Sequence, residues 1–398
     1  MHIHRLADPT IPLSEETPFP SFPVSTLRLW DNTDWDTSEP HRNTFDWTRM
    51  DGNIQKASAH GVSDFIFTFG YVPQWATSDP NDNTCVFPGS CDAPANVADL
   101  DGFANALVQR YCGVIRYYET WNEPSSTMFW NGTNAQLLEI IQHIYADVKN
   151  PANCGCTNGS CSPGGGANPN KVLLPPVDSP TSPWLENWLS YVGNPYPYAD
   201  VATFHGYGYD NNPESIASGV KFLHATLSRY GLGSAELWNT EASWGDGTLP
   251  TQDEQASWVI RYQIIQSLSG VSRFTWYAYD NCAWGTLWGG GICVGLSTDP
   301  LGPHEAATAY STVQQWLTGA TLESCQEHTD GTWFCKLTRS GNYVSWAVWN
   351  SKGTAITLNP SAMPGLVQYR DWQNQKTVIA DSVQVGSMPI LIENEDGF

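Results

Sequence analysis

Two stretches of the chain set a glutamate among amides and aromatic rings. They are Tyr117-Tyr118-Glu119-Thr120-Trp121-Asn122-Glu123-Pro124 and Glu236-Leu237-Trp238-Asn239-Thr240-Glu241-Ala242-Ser243-Trp244. Two carboxyls facing each other can divide a bond cleavage between them. One gives a proton to the leaving oxygen, and the other attacks the carbon that the oxygen leaves. For a glycosidic bond cut with retention of configuration, the carboxyls must stand about 5–5.5 Å apart. Rings and amides beside such carboxyls shift their pKa values and position hydroxyl groups. The chain carries 40 acidic residues, so only position can select a pair.

Position comes from the elements. Short apolar runs occur at Met1–His4, Thr26–Trp30, Asp64–Phe69, Val114–Trp121, Lys171–Leu174, Val201–Phe204, Ala235–Asn239 and Ser272–Tyr277. Helical periodicity fills most of the intervals, over Phe45–His60, Val97–Tyr111, Asn134–Lys149, Glu214–Tyr230, Gln252–Ser269 and Pro303–Trp316. Eight strand–helix units predict an α/β fold, a (β/α)8 TIM barrel over residues 1–318. From about residue 320 short strands separated by turns take over. They are Thr332–Leu337, Tyr343–Trp349, Ala355–Leu358, Val367–Tyr369 and Pro389–Ile392. Residues 319–398 are therefore expected to form a small antiparallel β-sandwich, with a structural role or a glycan-binding one.

In a barrel of this type the strand-to-helix loops build the active face. Glu123 ends the fourth predicted strand and Glu241 the seventh, so both belong to that face. Residues 71–96 and 278–302 should rim it, while the Gly- and Cys-rich residues 150–170 should lie on the opposite face. Alternation along a strand puts Glu119, Trp121 and Glu123 on one side and Asn122 on the other. For Asn122 and Glu123 to meet one substrate, the strand must end or bulge there, and Pro124 favours an ending. Glu119 should then point into the barrel as a buried partner.

The net charge is −22. Such a chain repels a phosphate backbone and an anionic membrane surface, which argues against nucleic acid and membrane as partners. The 19 Trp and 17 Tyr suit a neutral polysaccharide or oligosaccharide, because aromatic planes stack on sugar rings. They also suit a large core. No run of about 18 apolar residues is present to span a membrane. The opening Met1-His2-Ile3-His4 reads as the middle of a strand, so a precursor with a secretion signal is expected to extend further upstream.

Ten cysteines, several close together, predict disulfides and an oxidising, extracellular location. Cys85–Cys91 and Cys282–Cys293 would staple active-face loops. Cys325 and Cys335 flank an Asp330-Gly331 turn almost symmetrically, as a cross-strand bridge requires. Cys112 ends the third-strand helix on the face where residues 150–170 lie. Its expected partner is Cys154, leaving Cys156–Cys161, with exchange of 154 and 156 as the alternative. Zinc is disfavoured, since Cys154-Gly155-Cys156 is too tight for a CxxC knuckle and no second knuckle follows. Asn131-Gly132-Thr133 and Asn158-Gly159-Ser160 are glycosylation sequons in a eukaryotic secretory path.

Tyr118-Glu119-Thr120-Trp121-Asn122-Glu123-Pro124 resembles the fourth-strand motif of glycoside hydrolase clan A. The resemblance implies that Glu123 is the acid/base, that Asn122 holds a sugar 2-hydroxyl and that Glu241 is the nucleophile. Within the clan, Leu27-Arg28-Leu29-Trp30-Asp31, Gly70-Tyr71-Val72-Pro73-Gln74-Trp75-Ala76 and Phe204-His205-Gly206-Tyr207 resemble family 39 and its relatives. It covers residues 1 to about 318, and the β-domain more loosely. By the clan pattern Arg28 would keep the nucleophile ionised through charge-assisted hydrogen bonds. His205 and Tyr207 would contact Glu241 or the sugar, and Trp276 would floor the −1 subsite. Each of these has a packing alternative, and so do Trp75 and Trp244, which follow strands three and seven and are placed for stacking. His2 and His4 share one strand face, where they could bind sugar hydroxyls. No third ligand at suitable spacing supports a metal.

Other chemistries lack their residues. There is no GxSxG elbow. Gly164-Gly165-Gly166 and Gly289-Gly290-Gly291 have no following Lys-Ser/Thr and are loop glycines. The expectation is a monomeric retaining β-glycoside hydrolase, without cofactor or metal, acting within a neutral polysaccharide or oligosaccharide. The alternatives are an exo-acting β-xylosidase or β-glucosidase and, in another class, a non-catalytic carbohydrate-binding protein.

Overall fold

A computed structural model describes residues 1–208, 211–245, 249, 251–281, 285–289, 302–359 and 365–395. Two compact units are present. The first comprises Met1–Tyr207, Lys221–Ala242 and Ser272–Tyr279, the second Gly208–Val220, Ser243–Val271 and Asp280–Phe398.

The first unit is built on a seven-stranded parallel sheet. In order its strands are Thr26–Leu29, Asp64–Thr68, Tyr117–Glu119, Lys171–Leu173, Val201–His205, Glu236–Ala242 and Val271–Trp276. Thr26–Leu29 is buried throughout, as are Phe65–Thr68 and Val201–His205. Such near-continuous burial is what strands covered on both faces require. The opening segment is not a regular strand, contrary to the periodicity, but it sits where an eighth strand would. The Met1 nitrogen donates to Thr26 O, and Arg28 N donates to Met1 O. On the other side His2 N donates to Trp276 O, and Tyr279 N donates to His2 O. Two residues thus bridge the first and last strands and nearly close a (β/α)8 barrel.

The barrel floor is packed, not open. Ile66, Leu173, Val201 and Trp238 form one buried cluster with Tyr117 against it. Arg273 lies 4.2 Å from the Trp238 ring centroid and 4.9 Å from that of Tyr117, and Asp64 binds its guanidinium at 2.8 Å. The rings cover the cation's faces while the carboxylate takes its edge.

Helices Thr48–Ala59, Val97–Arg110 and Asn134–Lys149 follow the expected periodicities. Thr133 and Gln136 form a capping box that starts the third. A helix at Pro183–Val192 was not expected. It is short, carries no side-chain cap and is flanked by prolines, which read as loop. Its Pro183 occupies the first turn, where no backbone N–H is needed.

In the second unit, helices Gln252–Leu268 and Glu305–Leu317 accompany a six-stranded antiparallel sheet. Its strand order is Thr321–Glu327, Thr332–Thr338, Val344–Asn350, Ile390–Glu393, Gln368–Arg370 and Lys376–Val378. A short ladder, Ile356–Leu358 with Val383–Val385, contributes Val383 and Val385 to a core shared with Val348, Ile390 and Ile392. This is the antiparallel sandwich expected. Thr321–Glu327 and Lys376–Val378 were missed because they are exposed edge strands with little apolar alternation. Glu214 joins the unit's parts. Arg261 binds it through Nε and Nη2 at 2.7 Å each, and Trp349 Nε1 donates to it at 2.6 Å.

Four expected cysteine pairs are disulfide-bonded: Cys85–Cys91, Cys112–Cys154, Cys156–Cys161 and Cys325–Cys335. Cys156–Cys161 and Cys325–Cys335 link directly opposed strand residues. Cys282 and Cys293 lie outside the described residues, as does much of 278–302.

Candidate active site

Parallel registry brings the chemistry together. Arg28 pairs with Ile66, Thr68 with Glu119, and Glu119 with Leu173. Between the next strands the register slips, so that Phe204 faces Asn239 but His205 faces Glu241. That irregularity sets His205 and Glu241 level with the Glu119 strand's end.

Arg28 is the hub. Its side chain is fully buried. Nε and Nη2 donate to Glu119 Oε2 at 3.0 and 2.6 Å, Nη2 also to Asn122 Oδ1 at 2.8 Å, and Nη1 to Glu241 Oε2 at 2.5 Å. Thr68 Oγ1 and Thr240 Oγ1 donate to the two oxygens of Glu119 at 2.9 and 2.6 Å. Glu119 has no exposure and serves as Arg28's counter-charge inside the barrel. Burial by itself would lower the Arg28 pKa, but Glu119 and Glu241 raise it above the ordinary arginine value. The guanidinium is therefore a fixed positive charge against Glu241.

Glu241 also accepts a hydrogen bond from the Tyr207 hydroxyl. Burial pushes its carboxyl up, while His205, Arg28 and the Tyr207 hydroxyl pull it down; the net direction is upward. Glu123 stands opposite. One oxygen of Glu123, one of Glu241 and a nitrogen of His205 lie within 4.8 Å of one another. His205 Nδ1 is 2.5 Å from Glu123 Oε1 and 3.9 Å from Glu241 Oε2. Burial, joined by the Asp178 charge, pushes the Glu123 carboxyl up to about 8. Burial pushes the His205 imidazole down to about 4. Between those values Glu123 keeps its proton and His205 is neutral.

The strand carrying Glu119 ends there, and Glu123 reaches the site from the following turn with a left-handed φ of 37°. Asp31 and Tyr71, which also follow strands, have φ of 66° and 47°. The other described non-glycine residues with positive φ are all asparagines. Such conformations cost on the order of 1–3 kcal/mol each and gather where side-chain aim matters.

A second polar group adjoins the pair. Tyr277 Oη donates to Asp31 Oδ2 at 2.8 Å, and His4 Nε2 and His2 Nε2 lie 3.0 and 3.4 Å from the same oxygen. Burial raises the Asp31 pKa, but the hydrogen bonds from His2 and His4 outweigh it, holding the carboxyl well below its usual range. His2, His4 and Asp31 could also ligate a cation. Tyr277 already directs its hydrogen at the shared oxygen, so the geometry is that of a hydrogen-bonded cluster.

Three other expected residues are engaged as follows. Trp75 donates from Nε1 to Glu39 O, packs edge-on against Trp35 and lies under Arg42. Trp244 belongs to the second unit, where it is buried with its edge towards Trp258. Trp276 is wholly buried, and its neighbour Tyr277 carries the polar contact. Asp31 and Tyr277 were not singled out from the sequence, nor was Thr240. Asp31 and Tyr277 do stand at strand ends, which was the available signal.

No family model matches the chain, and no curated protein matches it in sequence. Solved structures share its fold. A family 39 glycoside hydrolase from Bacteroides cellulosilyticus superposes with a TM-score of 0.67 at 17% identity, over 92% of this chain and 75% of that one. A family 39 β-xylosidase from Caulobacter crescentus gives 0.60 at 14% identity, over 93% and 89%. The catalytic domain of a family 30 xylanase C from Talaromyces cellulolyticus gives 0.54 at 13%, over 93% and 87%.

Proposed function

We propose that the chain is a retaining β-glycoside hydrolase in which Glu241 is the nucleophile and Glu123 the acid/base. The observation that carries the reading is the unequal pair. Glu241 is fixed by a cationic and a phenolic donor, whereas Glu123, within 4.8 Å of it, is held neutral by burial. The spacing suits direct attack better than the roughly 6.5–9.5 Å gap that admits an activated water.

In the first step a Glu241 oxygen bonds to the anomeric carbon as the carbon–oxygen bond to the leaving group breaks. Glu123 gives its proton to that departing oxygen. With its hydrogen on Nδ1, His205 donates to Glu123 Oε1 and leaves the acidic proton on Oε2. In the second step Glu123, now a carboxylate, takes a proton from water while the water oxygen attacks the anomeric carbon. Glu241 leaves as a carboxylate, again neutralised by Arg28. Asn122, oriented by Arg28, presents its amide to the sugar. Asp31, His4 and Tyr277 supply acceptors and donors for further hydroxyls.

Cleavage within a long chain would call for free aromatic faces on the loops of the barrel top. The Trp75 ring is engaged with Trp35 and Arg42, which favours the alternative of exo action, as a β-xylosidase or β-glucosidase. The disulfides support an oxidising, extracellular location. The carbohydrate substrate and monomeric action belong to the same proposal. Proton NMR of the first product from an aryl β-glycoside tests the mechanism. A β-anomer is expected, and an α-anomer would refute double displacement.

A further inference from the structure

Beside Glu123 a run of aromatic rings, buried at Trp30 and Tyr71, ends in an exposed apolar ledge at Phe87. Trp30 stacks on Tyr71 with ring centroids 4.5 Å apart, and Tyr71 meets Phe87 at 5.4 Å and Phe129 at 6.0 Å. Gly70 permits this approach, since a Cβ there would lie 2.7 Å from the Trp30 ring. At the outer end Phe87 is 45% exposed and its neighbour Val86 41%, and Met128, which precedes Phe129 in the chain, is 52% exposed. Val86 and Phe87 lie on one loop and Met128 on the loop tied to it, and contiguous exposed apolar surface marks binding sites.

Two loops form the ledge, and both are fixed. Cys85–Cys91 closes the first, and Asn131 N donates to Cys91 O at 2.7 Å, tying it to the second. The second runs on directly from Glu123, beginning with the hydrogen bond from Ser126 N to Glu123 O. Some of the polar groups alongside pair with one another. Asn131 Nδ2 donates to Asp82, Ser125 Oγ to Asp178, and Gln74 Nε2 to Pro80 O.

We infer that this ledge is the leaving-group subsite, and that it takes a hydrocarbon or aryl aglycone by its apolar surface. The inference rests on the proposed roles of the two glutamates. The acid lies on the leaving group's side of the scissile bond, and the ledge is continuous with the acid's own loop.

The experiment compares methyl, butyl and octyl β-glucosides and β-xylosides with the corresponding β-linked disaccharides. The alkyl alcohols differ little as leaving groups, so changes in kcat/KM report binding of the chain. Each methylene fully covered is worth about fourfold. The expected result is a rise in kcat/KM from methyl to octyl, carried by KM, with octyl above the disaccharide. Phe87→Ala and, separately, Met128→Ser should lower the octyl-to-methyl ratio, Phe87→Ala by on the order of tenfold. Equal values for methyl and octyl, or a disaccharide above both, would overturn the inference while leaving the enzyme a glycosidase. Absence of turnover on any β-glycoside, nitrophenyl substrates included, would overturn the proposed function itself.

Discussion

Arg28 Nη1 donates to Glu241 Oε2 at 2.5 Å from a guanidinium that has no exposed surface. The same group binds Glu119, whose carboxylate is also wholly buried. One cation thus serves two carboxylates, one of them buried in the barrel and the other the proposed nucleophile.

Arg28→Met should therefore lower both activity, as Glu241 loses its cation, and stability. Glu119 would be left as a buried carboxylate held only by hydroxyls, a loss of about 3–5 kcal/mol in stability. Denaturant titration reads it as a lower midpoint at an unchanged slope. Glu119→Gln with Arg28 intact should cost less activity than Arg28→Met, because Glu241 keeps its cation. Equal activity in wild type and Arg28→Met would refute the role given to Arg28.

The pH profile should be bell-shaped. Glu241 must be ionised to attack, and burial holds its pKa above the ordinary 4.5, so the acid limb lies above that value. Glu123 must be protonated to act as acid, so kcat/KM should fall as pH rises through about 8. Rates measured on a substrate with a basic leaving group show both limbs. Glu123→Gln, assayed with a nitrophenyl glycoside, should lose the alkaline limb. A limb that persists there belongs to another group.

Removing either glutamate should separate the half-reactions. Glu241→Ala loses the nucleophile and should lower turnover by at least about 10²–10⁴-fold, the general scale for such roles. Glu123→Ala should still be glycosylated by a nitrophenyl substrate and then stall for want of a base. Azide should rescue it and give a β-glycosyl azide, whereas the Glu241 variant should give the α-azide. Near-normal turnover of a natural glycoside by Glu123→Ala, with loss in Glu119→Ala, would reverse the assignment along that strand.

The disulfides should contribute unequally. Cys112–Cys154 spans 42 residues and Cys156–Cys161 spans 5. By chain entropy alone their removal should cost about 4 and about 2 kcal/mol, respectively. Thermal unfolding of the paired Cys→Ser variants measures both, and activity of the folded variants should be retained because neither bond touches the site.

Much of this was legible along the chain. Alternating apolar runs and helical stretches report burial, which depends on neighbours a few residues away, so the strands and most helices could be read directly. Glu123 and Glu241 stand out because each lies at or just beyond the end of a strand, at the face where barrel loops gather. The helix at Pro183–Val192 escaped because its aromatic residues sit among prolines. The exposed edge strands escaped because nothing buried marks their period.

The sequence by itself determined the alternation of strands and helices and so the barrel face to which Glu123 and Glu241 belong. Only the tertiary structure decided what surrounds them. His205 came level with Glu241 through a register slip that no periodicity encodes. Asp31 and Tyr277 meet at 2.8 Å although they stand at opposite ends of the barrel's strand order. Closure of the sheet by Met1 and His2 is what makes those ends neighbours. Periodicity is a local consequence of burial, whereas a pKa, a counter-charge or an exposed ledge depends on which distant strands the barrel brings side by side.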